Sequence, residues 1–302
     1  MKRLLIGLIL IAACGGPAGS TTSPPTSAPS TTSSSTSSST SSSTTVAETS
    51  TTESTTTTPS TSGSVPVVAS RYGLMGWWSE GWVVPETLDE IPLSGGEEFQ
   101  VVMLDQPITT AIGEQPTLCE PSQTPVLDLD PPLPGDFADP GALAVIADWE
   151  LRPSPVRVET DLADVHIEAV TGVLMSLGIE AEPVIFQVVV ADIDADGTEE
   201  IVIVSKFLPN DLFGGPGDYS VVVLRKMIEG EWQTAILETS VGEPDSPYVL
   251  SHSIAAIADL NGDGMMEIVV DAAYYEGAGT TAFEYIDNDL GPEPVLGGGC
   301  GA

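Results

Sequence analysis

The chain has 302 residues, and its 44 Asp and Glu set against 8 Lys and Arg give a formal net charge of -36. A surface this acidic repels nucleic-acid phosphates and anionic lipid headgroups, which excludes nucleic acid as a partner. It attracts cations or sustains a hydrated surface in high salt, and only local clustering of the carboxylates separates those two readings.

At the N-terminus, Lys2 and Arg3 precede an apolar run over residues 4–11, too short to cross a bilayer as a permanent helix. Ile11-Ala12-Ala13-Cys14 follows and resembles the lipobox of bacterial lipoproteins. Small residues there admit a peptidase, and the thiol of Cys14 takes a diacylglyceryl group. The resemblance implies a lipoprotein signal peptide over residues 1–14 and an extracytoplasmic chain at the cell surface. Its acyl chains would hold it to the bacterial cell membrane. Residues 15–64 are almost wholly Ser, Thr and Pro. They have too few apolar groups to repay the entropy of folding, so a disordered stalk is expected, spanning on the order of 40 Å as a bare coil. Such a composition also suits O-glycans.

From residue 65 the texture changes to short Val- and Ile-rich runs between Gly, Pro and Asp turns, which is a strand signal. Strands are predicted at residues 99–104, 186–191, 201–206, 219–225, 254–258 and 268–273. Glu229-Gly230-Glu231 reads as a hairpin turn. One helix is predicted, with Asp161 as its cap, Asp164 in its first turn, and Ile167, Val170, Val173, Leu174 and Leu177 on one face. Gly178 followed by Ile179 supplies the stop. The Pro-rich stretch 121–140 reads as an irregular connection. A boundary near Leu143 is expected to separate an N-terminal β segment (65–142) from a β-rich domain (143–302). The fold class is therefore mainly β with one or few helices (α+β), in antiparallel sheets.

Two segments carry the chemistry. Asp192, Asp194, Asp196, Gly197, Thr198 and Glu200 recur as Asp259, Asn261, Asp263, Gly264, Met265 and Glu267. Both read D-x-[DN]-x-D-G-x-x-E between apolar strands. Calcium takes about six to eight oxygens at about 2.3–2.6 Å. Side chains at positions one, three and five turn inward as the chain curls, and Gly at six permits the turn. The carbonyl at seven (Thr198 or Met265) adds an oxygen, and the Glu at nine closes the site. The first loop offers four acids where the second has Asn261 at one of these positions, so at equal geometry the first is expected to bind more tightly. The competing reading is that Asp-Gly turns merely solvate two hairpins. Position twelve is Ile203 or Val270, within strand sequence, which separates these loops from EF-hands.

On those residues, the segment 185–285 resembles FG-GAP/VCBS repeats, the calcium-loop hairpins of integrin-like β-propellers. The resemblance implies Ca2+-stabilised blades and surface recognition. A full propeller of six or seven blades does not fit the chain, and Glu stands where Asp is more usual at position nine. Partial or divergent β-propeller-like blades are the expected arrangement.

Beyond Cys14 there are two cysteines, Cys119 and Cys300, and an even pair in an exported chain favours a disulfide over two free thiols. His166 and His252 are the only histidines, so no zinc site is expected. Tyr72, Trp77, Trp78 and Trp82, and separately Tyr274 and Tyr275, either pack into the fold or stack on a sugar or peptide. With neither a nucleophile elbow nor a phosphate loop, the chain is expected to be non-enzymatic and to recognise an extracellular protein or glycan. The alternatives are a calcium-dependent extracellular hydrolase on a propeller-like scaffold and a purely structural envelope protein. Only Arg71, Arg152, Arg157, Lys206, Arg225 and Lys226 supply positive charge in the folded part, which disfavours a phosphate-ester hydrolase.

Overall fold

A computed structural model describes residues 65–301 except 121, 136–140, 210–213, 244–247 and 286–290. Cys14, the signal segment and the Ser/Thr/Pro stretch lie outside the described residues. The described part is mainly β, with antiparallel sheets and one α-helix. Five of the six predicted runs lie wholly within strands, and the run 99–104 does so as far as Val102.

The first sheet uses β1 (Val67–Ser70), β2 (Gly73–Trp78), β3 (Trp82–Val83), β4 (Glu98–Val102) and β5 (Thr109–Gly113). Next come β6 (Thr117–Leu118) and β7 (Pro125–Val126), which pair with each other, then β8 (Leu129–Asp130) and β9 (Leu143–Val145). The order across the first sheet is β3-β2-β1-β9-β4-β5-β8. Two expectations change here. The Pro-rich stretch carries two short strands, β7 and β8. The boundary near Leu143 falls inside this sheet, because Ala144 pairs with Ala69 on one side and Val101 on the other. The described residues form one compact unit.

The second sheet runs β10 (Arg157–Glu159), β11 (Ile185–Ala191), β12 (Glu200–Phe207), β13 (Tyr219–Ile228) and β14 (Glu231–Val241), in that order, with α1 (Asp164–Ser176) between β10 and β11 in the chain. The third runs β15 (Ser251–Ala258), β16 (Glu267–Tyr274), β17 (Gly277–Glu284) and β18 (Glu293–Gly301).

The layers follow from which residue faces which neighbour. Ile254, Ile257, Ile268 and Val270 of the third sheet pack against Val189, Val202, Val222 and Leu224 of the second. Ala255, Ala256, Ala258 and Val269 face the first sheet through Val68, Met75, Leu143 and Val145. The outer face of the second sheet takes α1, through Tyr219, Val221 and Val223 against Val170, Val173 and Leu174. Strands buried on both faces read as unbroken apolar runs, which is why β13 and β15 show no alternation.

Local signals hold at the end of α1. Gly178 has φ +79°, its N–H reaches the Met175 carbonyl at 3.0 Å, and the Ile179 N–H reaches Leu174 at 2.9 Å. Those are the two bonds of a Schellman stop, with Ile179 and Leu174 in one apolar cluster. The start of α1 differs from expectation. Asp161 does not cap it. Ala163 is the extended residue at the N-cap, with no side-chain cap bond, and Leu162 packs against the helix's own core, so the chain turns only at Asp164. Glu229 and Gly230 take φ +53° and +85°, joining β13 to β14 as the hairpin reading requires.

The last strand is tied back to the first sheet. Cys119 and Cys300 are disulfide-bonded, with Cα atoms 5.9 Å apart. Thr124 donates to the Gly299 carbonyl. A Cβ on Gly73 would stand 2.8 Å from the Gly299 nitrogen, and one on Gly298 would stand 3.0 Å from the Leu74 carbonyl oxygen. The two backbones cross at a separation only glycine allows. The aromatic cluster is absorbed into this junction. Trp78 and Trp82 meet edge to face at 4.9 Å, and the Trp82 indole donates to Glu284 at 2.8 Å.

This crossing sets a paired stability test. Gly73→Ala is expected to lower stability by about 1–3 kcal/mol, because its methyl meets backbone that cannot yield. Gly172→Ala, on α1 with nothing within 4 Å of the added methyl, is expected to raise it by up to about 1 kcal/mol. Equal urea midpoints for Gly73→Ala and the parent protein would refute the close crossing.

Candidate metal centres

The β11–β12 and β15–β16 hairpins end in the two acidic loops. Their strands are apolar on both sides, so the polar residues collect at the tips. The two loops have the same local conformation. Position six is left-handed in both (Gly197 φ +88°, Gly264 φ +91°), and so is position four (Ala195 φ +58°, Gly262 φ +82°).

The internal hydrogen bonds also match. The carboxylate at position nine accepts the N–H of position two, Glu200 from Ile193 at 2.9 Å and Glu267 from Leu260 at 2.7 Å. The first Asp accepts from the glycine at six, Asp192 from Gly197 at 3.1 Å and Asp259 from Gly264 at 3.0 Å. Position three accepts from position five, Asp194 from Asp196 at 3.4 Å and Asn261 from Asp263 at 3.0 Å. Position five accepts from position seven, Asp196 from Thr198 at 2.7 Å and Asp263 from Met265 at 2.8 Å. Side chains turned inward on their own backbone leave their remaining lone pairs pointing into the loop.

In the first loop, Asp192, Asp194 and Glu200 each bring a carboxylate oxygen within 4.8 Å of the other two. Glu200 is fully buried, and its Oε1 has no hydrogen-bond partner, nor has Asp192 Oδ1. Burial pushes Glu200 up to about 7, reinforced by Asp194 and Asp196 and opposed by the Ile193 N–H and by Lys226. Asp196 and Thr198 are exposed at the tip. Three oxygens converging on one point, two of them from side chains with an unsatisfied buried atom, form a donor set that suits a hard divalent cation.

The second loop is closed differently. Both oxygens of Asp259 are taken by backbone, Gly262 at 2.6 Å and Gly264 at 3.0 Å. Asn261 donates to Asp263 at 3.3 Å and to Glu284 at 2.7 Å. The Trp149 indole donates to the Asp259 carbonyl at 2.9 Å, and its ring lies 3.2 Å from where a Gly262 methyl would sit. Burial raises both Asp259 and, strongly, Glu267. Among the described residues, the convergence of three carboxylates occurs only at the first loop.

Sequence reasoning missed three contributors. Lys226 on β13 is buried and ion-paired with Asp194. Tyr285 lies beside the first loop, its ring 4.7 Å from the Lys226 ammonium and its buried hydroxyl without a partner. Glu284 ties Asn261 to Trp82. A lysine inside the apolar run of β13 was a usable signal for the first. Nothing local marks the other two. Lys226 also removes the basis for ranking the loops by acid count, since it offsets one of the four carboxylates at the first.

The loops touch. The Met266 N–H donates to the Ile193 carbonyl at 2.8 Å, and both side chains share one core cluster. Nearby, the Gln187 carboxamide bonds both backbone groups of Ile254, at 3.1 and 2.8 Å. The histidines have other surroundings. His252 is buried and pushed down to about 4, chiefly by desolvation, with Nδ1 3.1 Å from the Ser220 hydroxyl. His166 packs its ring against Trp232 and lies 3.5 Å from Arg225.

The raised Glu200 gives a pH signature. Between about 4.5 and 7 the folded protein keeps a proton that the unfolded chain has released, so this contribution to metal-free stability is lost as pH rises through that window. In chelator, the parent protein is expected to lose stability relative to Glu200→Gln as pH goes from 4.5 to 7. A difference between the two that stays constant with pH would rule this out.

No protein-family model matches the chain, and no curated protein or solved structure matches it.

Proposed function

We propose that the chain is a membrane-anchored extracytoplasmic lipoprotein whose folded part is a calcium-stabilised β domain that recognises a protein or glycan at the cell surface. The observation that carries the calcium reading is the first loop's donor set, with Glu200 fully buried and one of its oxygens unpartnered. A bare carboxylate there is costly, and a cation removes the cost. Four hydrogen bonds that the second loop shares with the first support a second site.

The propeller-like reading draws on sheet organisation. β11–β14 and β15–β18 are each four consecutive antiparallel strands, with the acidic loop between the first and second. They pack face to face, as neighbouring blades do. Recognition draws on Tyr248 and Tyr275, about 40 % exposed and stacked at 5.4 Å, beside Tyr274 at the rim of a glycine-floored groove of about 510 Å³. Tyrosine surfaces of this kind suit sugar rings and peptide side chains. The lipid anchor rests on Cys14 and its preceding small residues.

Two measurements test this. Saturating calcium is expected to raise the melting midpoint by ~3–10 °C over chelator, the gain from one or two millimolar-range sites. No shift at 10 mM calcium (roughly ten or more times the Kd of such sites) would sink the calcium reading. Cys14→Ser is expected to move the protein from the membrane fraction to the soluble extracytoplasmic fraction. Retention in the membrane would remove the lipoprotein reading.

A further inference from the structure

The first loop already holds a cation of the protein's own. Lys226 is 5 % exposed, and its ammonium is bonded to Asp194 Oδ2. The ammonium thus sits on one of the three carboxylates that converge there. Its other neighbour is the face of Tyr285, 4.7 Å away. Tyr285 is 4 % exposed and its hydroxyl has no hydrogen-bond partner; burial, reinforced by the charges of Glu200, Asp194 and Asp196, pushes its ionisation up. Asp192 Oδ1 and Glu200 Oε1, on two of the three converging carboxylates, and Tyr285 Oη, on the ring beside the ammonium, are buried without a hydrogen-bond partner. An ammonium has three N–H groups and cannot satisfy this many oxygens, whereas calcium takes about six to eight. The second loop differs. Its third position is the neutral Asn261, which turns to Glu284, and no lysine among the described residues bonds to it.

We propose that Lys226 is a resident counter-ion of the first loop that a divalent cation must displace from Asp194, with Tyr285 supplying an uncharged oxygen to the incoming ion or its water. This rests on the calcium reading of the loops. With Lys226 in place, the metal-free first loop is held together and its affinity for metal is lowered. The Met266–Ile193 bond joins this tip to that of the second loop.

The test is calorimetric titration of the full chain with calcium chloride, in a Glu267→Gln background so that only the first loop is read. Lys226→Met is expected to bind calcium at least about tenfold tighter than that background. Lys226→Arg, which keeps the charge, is expected to bind no tighter. In chelator, Lys226→Met is expected to melt below its background, with the gap closing at saturating calcium. Tyr285→Phe is expected to weaken binding severalfold without lowering the metal-free midpoint. If Lys226→Met does not fold, Lys226→Gln replaces it, since its amide can still bond Asp194. Calcium binding in the background that is unchanged or weaker in the neutral variants overturns the proposal while leaving the calcium reading intact. No calcium heat in either the unsubstituted chain or these variants overturns both.

Discussion

Glu200 and Glu267 sit at the base of two hairpins, each fully or almost fully buried, among strands made of Val, Ile and Ala. Each accepts the N–H of the second loop residue, and that bond closes the tip. A carboxylate in this position is costly unless charge and hydrogen bonds surround it. Much of the central architecture answers that cost. The left-handed turns at positions four and six bring backbone N–H groups onto Asp192 and Asp259. Lys226 enters from the neighbouring strand at the first loop. Indole and carboxamide donors from Trp82, Trp149 and Asn261 tie the second into the surrounding sheets.

The layering carries those tips. The first two strands of the third sheet, β15 and β16, are buried on both faces, with alanines toward the first sheet and isoleucines toward the second. Small residues on one face let the first sheet approach, and large ones on the other fill the space to the second. The same economy governs the crossing of β18 over β2, where glycine meets glycine and the Cys119–Cys300 bond fastens the strand. The two acidic loops emerge side by side from these packed sheets, joined by a backbone bond and a shared apolar cluster.

The charge balance at the loops could not be read from acid count. Four carboxylates against three suggested a stronger first site. A buried lysine from β13 and a glutamate from β17 shift that balance in opposite directions, one adding positive charge at the first loop and the other negative charge at the second. Long-range electrostatics inside an apolar environment act over the distance between strands, so the partners that matter need not be near in sequence.

What the sequence determined by itself is local. The loop spacing, the Glu229-Gly230 turn and the Gly178–Ile179 helix stop depend on φ preferences and bonds within a few residues, and the strands on runs of β-branched side chains. All of these were legible. The helix start was not, because Leu162 is held by the core and delays the turn. Neither was β9, which pairs with strands from more than forty residues earlier and erases the boundary expected near Leu143. Tertiary structure alone decided that Lys226 and Tyr285 join the first loop and that Glu284 joins the second. Those groups are assembled by sheet packing, whose register no short stretch of sequence encodes.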